Sequence, residues 1–364
     1  MKENRSAPSI ISVAKEAGVS LQTVSNVLNF PERVKPETTE RVMQAINKLN
    51  YTPNLSARRL RSKKSASLAV RVDSNASAGS SNEGLYAGYI QDEFVYEVVK
   101  SAEARDIKVV TYTCGPDEDE VKKLKRLVDS RDVDGFLLTS TVEDDPRLKY
   151  LIQKSVPFLS FGRPWASSTE FAGSYPWIDV DGGSGTSDAT KMFWKLGYRN
   201  IGFLGWKTFS AQPNSPKSVG DDRFLGWSKT LQELLNINSK KINIKFFELG
   251  IESISSARAS AKKLITKFPE MDALVCASDT LALGAQLEYR GLKKIIPVSG
   301  FDNSPTSKVF NFTSLDQNIS EIAASALVVL MGETGNTVIK VNDSKKTEQP
   351  NLIFKPTLIS RLLK

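Results

Sequence analysis

The stretch SIISVAKEAGVSLQTVSNVLN, residues 9–29, predicts two short helices joined by a tight turn. Gly18 gives the chain the backbone freedom that a sharp turn between helices needs. Ser20 follows the turn, and its hydroxyl can accept a hydrogen bond from a free amide in the first turn of the second helix. Three apolar residues recur at the spacing of a buried helix face, namely Val24, Val27 and Leu28. The stretch therefore predicts a helix–turn–helix unit.

The other side chains of the second helix are polar, and the pattern predicts that they face outward. They are Gln22, Thr23, Ser25, Asn26 and Asn29. Such side chains form hydrogen bonds with phosphates and base edges, and the dipole at a helix start also favours phosphate. An ordinary pair of packed helices with a glycine turn is the alternative, because the motif is of general use.

The distribution of charge favours the nucleic-acid interpretation. Residues 1–64 contain 12 Lys and Arg against 5 Asp and Glu, so nearly all of the chain's net charge of +8 lies in its first sixth. Such asymmetry is typical of a nucleic-acid-binding module rather than of a uniformly basic protein.

A third amphipathic helix is predicted from Pro36, and its buried side is formed by Val42, Ala45, Ile46 and Leu49. This helix closes a small three-helix core. We therefore predict a DNA-binding headpiece over residues 1–52.

A basic linker, residues 53–66, is predicted to follow. After Pro53 the segment Asn54 to Arg61 has the pattern of a short helix, in which Ala57 and Leu60 share a face. Its basic side chains, Arg58, Arg59 and Arg61, are suited to phosphate contacts. Two such helices from two subunits are predicted to press on the minor groove, with Leu60 as the wedge that unstacks a base step. The alternative is a basic tether that is disordered in the absence of DNA. Both descriptions apply if the segment forms its helix only on binding DNA.

Residues 67–364 are predicted to form an α/β core. Nine short apolar segments predict strands: 67–72, 108–112, 135–140, 157–161, 177–181, 200–205, 244–249, 273–277 and 295–300. Seven segments between or after them predict helices: near 87–105, 117–131, 186–196, 222–235, 255–267, 280–290 and 320–331. This number of β–α units exceeds a single core of usual size, so two lobes with parallel sheets are expected. Ligands of such lobes bind at the carboxyl ends of the strands.

The composition argues against catalysis. The chain has no His, which removes Ser-His-Asp and Cys-His arrangements and the commonest metal ligand. Cys114 and Cys276 are predicted to be a buried, reduced pair, and no GxxxxGK[ST] phosphate loop is present. The sequence therefore predicts neither an enzyme nor a metal or cofactor. It also lacks an apolar leader in the first 30 residues and any run of about 20 apolar residues, so we expect a cytoplasmic protein without a membrane role.

Five motifs in order resemble the LacI/GalR family of bacterial transcription regulators, from about Ile10 to Arg361. They are VSLQTVSNVLN (19–29), YTPN (51–54), RFLGW (223–227), SDTLALGA (278–285) and VSGFDN (298–303). The resemblance implies a two-lobed core similar to periplasmic sugar-binding proteins, which binds a small effector, usually a sugar. It also implies a homodimer that binds double-stranded operator DNA and represses carbohydrate-utilisation genes. The alternative is a solute-binding protein without a DNA role, against which the basic headpiece and the missing leader weigh.

The resemblance places base contacts at three positions of the second helix, which here are Leu21, Gln22 and Asn26. Asn26 departs from the family, which often has Arg there. Arg favours guanine, whereas Asn and Gln favour adenine. We therefore predict an adenine in the half-site where many relatives would have a guanine. The alternative is that Asn26 contacts only phosphate.

The resemblance also assigns the effector site. Arg223 and Asp302 match positions that hold sugar hydroxyls, and Asp279 lies in the neighbouring strand-to-helix turn. A carboxylate accepts hydroxyl protons, and a guanidinium donates from a planar fork. Two alternatives remain open. Asp279 fits a helix N-cap equally well, and Arg223 fits a surface salt bridge with a neighbouring aspartate, Asp221 or Asp222.

Four aromatic residues near strand ends are candidates to stack on a sugar ring, or else belong to the core: Phe161, Trp165, Trp177 and Trp206. Of these, Phe161 and Trp206 are predicted to belong to the effector site. One departure weakens the transfer of a particular ligand, because Ser278 stands where relatives often have Asn.

Overall fold

The computed structural model divides the chain into two compact units, Met1–Ser65 and Ala66–Lys364. The structure describes residues 9–49, 67–72, 89–115, 118–141, 145–164, 175–206, 218–235, 246–292, 294–331 and 351–362. The predicted linker helix, Asn54 to Arg61, and Trp165 lie outside these ranges.

The first unit contains the helices that the sequence predicts. They are α1 (Ile10–Ala17), α2 (Leu21–Asn29) and α3 (Pro36–Leu49), with a 3₁₀ turn at Pro31–Arg33. Gly18 ends α1 with φ +65°, a left-handed conformation that glycine adopts without strain. The Ser20 hydroxyl accepts a hydrogen bond from the Thr23 amide at 3.1 Å and so caps α2.

The core of this unit is small and apolar. Its buried residues come from all three helices: Val13, Ala14, Ala17, Val24, Val27, Val42, Ala45 and Ile46. Leu28 and Leu49 are partly buried against them, which confirms the predicted buried faces of α2 and α3.

The second unit begins with a β–α series that we call lobe 1. Its elements are β1 (Ser67–Arg71), α4 (Tyr89–Glu103), β2 (Lys108–Tyr112), α5 (Glu120–Asp129), β3 (Gly135–Leu138), α6 (Pro146–Gln153), β4 (Phe158–Phe161) and β5 (Trp177–Val180). Lobe 2 follows. Its elements are α7 (Gly182–Lys195), β6 (Ile201–Trp206), α8 (Val219–Leu234), β7 (Phe247–Gly250), α9 (Ile254–Lys267), β8 (Ala273–Cys276), α10 (Asp279–Tyr289), β9 (Val298–Ser299) and α11 (Pro305–Val309).

After lobe 2, the last elements bring the chain back to lobe 1. They are β10 (Ser314–Asp316), α12 (Ile319–Met331), β11 (Asn351–Phe354) and β12 (Thr357–Ile359). α12 packs on α4 of lobe 1, and β11 joins the sheet of lobe 1. β10 and β12 pair with each other as an antiparallel ribbon.

Both large sheets are parallel, as predicted. Lobe 1 has the strand order β11-β5-β4-β3-β1-β2, and lobe 2 has the order β7-β6-β8-β9. In the centre of lobe 1, Leu68 lies opposite Val109 on one side and Gly135 on the other. Helices cover these strands, so β3 is buried along its whole length and β1 is buried from Ser67 to Val70, as is usual for strands of a parallel sheet. The carboxyl ends of the strands carry the polar side chains considered below.

Some elements differ from the prediction. All nine predicted strands are present, but the helices α6 and α11 and the short strands β10, β11 and β12 were not predicted, because segments of three to eight residues carry little periodicity. α7 begins at Gly182, earlier than the predicted 186.

Glycines explain the early start of α7. A Cβ on Gly226 of α8 would lie 2.0 Å from the carbonyl oxygen of Gly183 in α7. Glycine therefore lets the two helix backbones approach closely, and tertiary packing outweighs the low helix propensity of the sequence GGSG. Within the described ranges, no helix has the length and apolar character needed to cross a membrane.

Candidate functional site

The outer surface of α2 presents an apolar side chain followed by two amides. Leu21 is 44% exposed, Gln22 is exposed and Asn26 is half-buried. The Gln22 Nε2 donates a hydrogen bond to the Asn26 Oδ1 at 3.1 Å. Beside them, the Ser20 and Thr23 hydroxyls lie 2.9 Å apart. The surface therefore offers donors, acceptors and one apolar contact along a single face.

Ser25 does not face outward as the sequence pattern predicted, since it is only 7% exposed. It lies three residues before Leu28 on the helix, so both share a side, and the buried arc of α2 is wider than the three apolar positions indicated. The Asn29 side chain lies outside the described part of the structure, as do Asn54, Ala57, Arg58, Leu60 and Arg61.

In the second unit, Arg223 is buried at the carboxyl ends of the lobe 2 strands. It lies on α8, is 6% exposed, and donates from Nη1 to the Ala277 carbonyl at 2.5 Å. Its guanidinium carbon lies 3.6 Å from the centre of the Phe301 ring and 5.3 Å from that of Trp206. The surface salt bridge that we considered is therefore wrong, because the side chain points into the protein.

One donor of Arg223 has no partner within the described ranges. Its Nε is buried and has no hydrogen-bond partner among the described residues. Burial lowers the pKa of this guanidinium, and the carboxylate of Asp302 opposes that shift. An unpaired buried donor beside a carboxylate is suited to a polar ligand.

Asp302 follows β9 and is partly buried. Its φ is +123°, a conformation that L residues rarely adopt and that concentrates at binding sites. Gln317 donates from Nε2 to the Asp302 Oδ1 at 2.6 Å. Burial raises the pKa of Asp302 well above its ordinary value, and the Arg223 charge opposes the rise. Trp206 and Asp302 thus both lie near Arg223.

Asp279 is buried in lobe 2 and lines the pocket described below. Ser278 caps α10, because its hydroxyl accepts from the Leu281 amide at 3.2 Å, so the capping role predicted for Asp279 is wrong. Asp279 is 3% exposed, and its Oδ2 accepts from the amide of Ser304 at 2.8 Å and from its hydroxyl at 2.7 Å. Its Oδ1 accepts from the Ser314 hydroxyl at 2.6 Å. Burial raises its pKa to about 6, against these hydrogen bonds.

Glu252 is a site residue that the sequence reasoning missed. The Trp206 Nε1 donates to its Oε2 at 2.5 Å, and the Ser278 hydroxyl donates to the same oxygen at 2.9 Å. Glu252 comes just after the carboxyl end of β7, so the rule that ligands bind at strand ends was the signal that could have found it. It fixes the indole of Trp206 and the hydroxyl of Ser278 relative to each other.

A pocket of about 180 Å³ lies between the start of α4 in lobe 1 and α10 and α11 in lobe 2. Its lining consists of Tyr89, Asp279, Thr280, Leu283, Asp302, Ser304, Pro305 and Thr306. Burial and the neighbouring Glu93 carboxylate raise the pKa of Tyr89 to about 12, so its hydroxyl stays neutral and can donate. Asp302 thus faces an opening bordered by both lobes.

An ion pair also joins the lobes. Arg163, just after β4, is paired with Asp179 of lobe 1, and its Nη2 lies 3.5 Å from the Asp222 Oδ2 on α8. The same Asp222 oxygen accepts from the Gly183 amide at 2.9 Å. Sequence reasoning missed Arg163, because its partners are distant along the chain.

Two of the aromatic candidates, Phe161 and Trp177, pack against other side chains of lobe 1. The ring centres of Phe161 and Phe94 are 4.5 Å apart, and Trp177 packs at the edge of a lobe 1 core. Cys276 is buried as predicted, whereas Cys114 is only half-buried, and both are free. In the described ranges, no group of three or more acidic or Cys side chains is placed to hold a metal ion.

Comparisons with known proteins follow the two units. Residues 9–54 match the family described as bacterial regulatory proteins, lacI family. Residues 89–326 match the family described as periplasmic binding proteins and sugar binding domain of LacI family.

Three relatives illustrate the similarity. The HTH-type transcriptional regulator CelR of Thermobifida fusca is 29% identical over 310 residues, 84% of this chain and 85% of that protein. A solved CelR–cellobiose complex has a TM-score of 0.64 and 26% identity, covering 97% of this chain and 99% of the other. The lac repressor dimer bound to operator and the anti-inducer ONPF has a TM-score of 0.73 and 22% identity, covering 98% of both chains. At that identity the last likeness shows the fold alone.

Proposed function

The chain belongs to the lacI family of bacterial regulatory proteins, and from this premise we propose that it is a sequence-specific repressor of carbohydrate-utilisation genes. In this proposal it acts in the cytoplasm as a homodimer and has no catalytic step. Residues 1–52 bind operator DNA, residues 53–66 form the linker that kinks the operator, and residues 67–364 form the effector-binding and dimerisation core.

The observation that carries the proposal is the exposed face of α2 in a headpiece that carries most of the net charge. The apolar side of the helix is buried, while Leu21 and Gln22 project at its start beside Asn26. Leu21 is suited to contact a thymine methyl group, and the amides are suited to adenine. The hydroxyls of Ser20 and Thr23 are placed for phosphates at the helix start.

The effector in this proposal is a small sugar bound between the lobes. Support comes from the Arg223 Nε without a partner, the Asp302 carboxylate and the neighbouring Trp206 ring. Together they offer a donor, an acceptor and an aromatic face, the three contacts that a pyranose needs. The similarity to the CelR–cellobiose complex also supports a carbohydrate effector. In this proposal Asp279, which lines the pocket, and Phe161 of lobe 1 also belong to the effector site.

Linkage then couples the two sites. A sugar that binds better to the lobe arrangement of the DNA-free protein weakens operator binding by the same coupling free energy, typically about 1–3 kcal/mol. A solute-binding protein without a DNA role is the less favoured function, because it leaves the basic headpiece and its exposed amides without a purpose.

The test begins with selection of binding sites from random duplex DNA by the full-length protein. A near-palindromic sequence should emerge, and its affinity should exceed that for non-specific DNA by at least about 10³-fold. Fluorescence titrations of the selected operator with a panel of mono- and disaccharides should then identify one sugar that lowers the affinity. Equal, salt-sensitive binding to every sequence would contradict the proposal.

A further inference from the structure

The two amide side chains on the exposed face of α2 are already joined to each other. We propose that Gln22 positions Asn26 for base recognition, so that the two residues read one base pair as a unit instead of two base pairs independently. This inference rests on the proposed DNA-binding function and gives Gln22 a positioning role in its specificity.

The helix geometry brings the pair together. Gln22 and Asn26 are four residues apart, so they lie one above the other on the same face of α2. The Gln22 Nε2 donates to the Asn26 Oδ1 at 3.1 Å. The backbone beneath them is fixed by the Ser20 cap and by burial of Val24. The hydrogen bond therefore orients a side chain on a rigid support.

The orientation matters because an asparagine amide has two different ends. Its oxygen only accepts and its nitrogen only donates, so a rotation of 180° about the last side-chain bond exchanges them. A donor at position 22 holds the Asn26 oxygen toward Gln22. One lone pair of that oxygen and the Nδ2 hydrogens remain free for DNA.

This free edge matches adenine. The major-groove edge of adenine presents the N6 donor beside the N7 acceptor, whereas guanine presents two acceptors, O6 and N7. A fixed oxygen accepts from N6 of adenine but faces an acceptor on guanine. Gln22 thus fixes the amide of Asn26 in the orientation that discriminates against guanine. In this role Gln22 acts through Asn26 and reads no separate base pair.

The experiment compares full-length variants in binding-site selection and in competition titrations with operators changed at one base pair. Gln22→Met keeps the length of the side chain but removes the donor. Gln22→Lys restores a donor that can reach the Asn26 oxygen. Gln44→Met is the matched control, because Gln44 is an exposed glutamine on α3 of the same unit.

We expect Gln22→Met and Asn26→Ala to relax the preference for adenine at the same base pair, each by about tenfold. The double variant should lose no more than Asn26→Ala alone, since the two side chains act together. Gln22→Lys should keep adenine at that pair, and Gln44→Met should leave the whole selected sequence unchanged.

Three results would overturn the inference while the DNA-binding proposal stands. They are relaxation by the two single variants at different base pairs, additive losses in the double variant, or a retained adenine preference in Gln22→Met. If instead the unmodified protein selects no sequence, the proposed function itself fails.

Discussion

Asp302 combines an unusual backbone conformation with a carboxylate at the pocket, so the choice of substitution at this residue matters. Alanine is strained at φ +123° and has no side-chain oxygen to accept the hydrogen bond from Gln317. Asparagine occurs at positive φ more often than alanine does, and it keeps that oxygen. Asp302→Asn removes the charge that faces Arg223 and one acceptor for a sugar hydroxyl. We expect it to weaken the sugar response at least tenfold while operator affinity without sugar stays within about twofold.

The measured quantity is the sugar concentration at which half of a labelled operator is released from the protein. Asp129→Asn, an exposed aspartate on α5, serves as the control and should behave like the unmodified protein. A normal sugar response in Asp302→Asn would remove Asp302 from the effector site, and loss of operator binding would show that its role is structural.

The buried Asp279 makes stability depend on pH. Burial raises its folded-state pKa to about 6 from an ordinary value of 3.8, so the folded protein holds this proton more tightly than the unfolded chain. The resulting stabilisation is complete below pH about 4 and is lost as the pH rises through 6. Asp279→Asn cannot ionise and keeps an acceptor for Ser304, so its free energy of unfolding should decline less between pH 4 and 7.

Urea unfolding midpoints at pH 4, 5, 6 and 7 provide the measurement. Other carboxylates with raised pKa values, such as Glu93 and Asp222, leave a residual slope in the variant. Identical slopes for Asp279→Asn and the unmodified protein would show that Asp279 is not the group that titrates.

Among the elements, the contact between α7 and α8 depends on a glycine. A Cβ on Gly226 would lie 2.0 Å from the Gly183 oxygen and 2.4 Å from the Thr186 Oγ1, so the helices must separate to accept Gly226→Ala. Overpacking of this kind costs about 1–3 kcal/mol. Gly291→Ala is the control, because no atom lies within 4 Å of its added Cβ, and surface changes usually stay within about 0.5 kcal/mol.

Denaturant unfolding of both variants tests this packing. Because α8 also carries Asp222 and Arg223, a shift of the helix should lower sugar affinity together with stability. Equal stability of Gly226→Ala and Gly291→Ala would mean that the helices are not held at this distance in solution.

In the molecule as a whole, the two proposed binding sites lie in separate units, so their coupling must obey linkage. If a sugar lowers operator affinity by some factor, the operator must lower sugar affinity by the same factor. We expect a value between about 5 and 150. Calorimetric titration of the sugar into free and operator-bound protein measures one side, and operator titration with and without sugar measures the other. Unequal factors would show that a further component, such as a change of oligomeric state, takes part.

The headpiece helices and the alternation of strands and helices could be predicted from the order of residues, and the resemblance to the LacI/GalR family implied that Arg223 and Asp302 belong to one site. The first two features are local: a glycine turn, a serine cap and apolar residues at i, i+3 and i+4 act within a few residues of one another. The rule that ligands bind at strand ends fits Asp302, which follows β9, whereas Arg223 lies within α8 and was assigned by the resemblance.

How these groups are used depends instead on tertiary packing. Arg223 is buried by segments that are distant along the chain. The hydrogen bonds from Ser304 and Ser314 to Asp279, and the one from Trp206 to Glu252, likewise join residues more than 20 positions apart. The same is true of the glycine contact that lets α7 begin at Gly182. Burial and partner choice depend on which distant segments meet in space, and no periodicity in the chain records that.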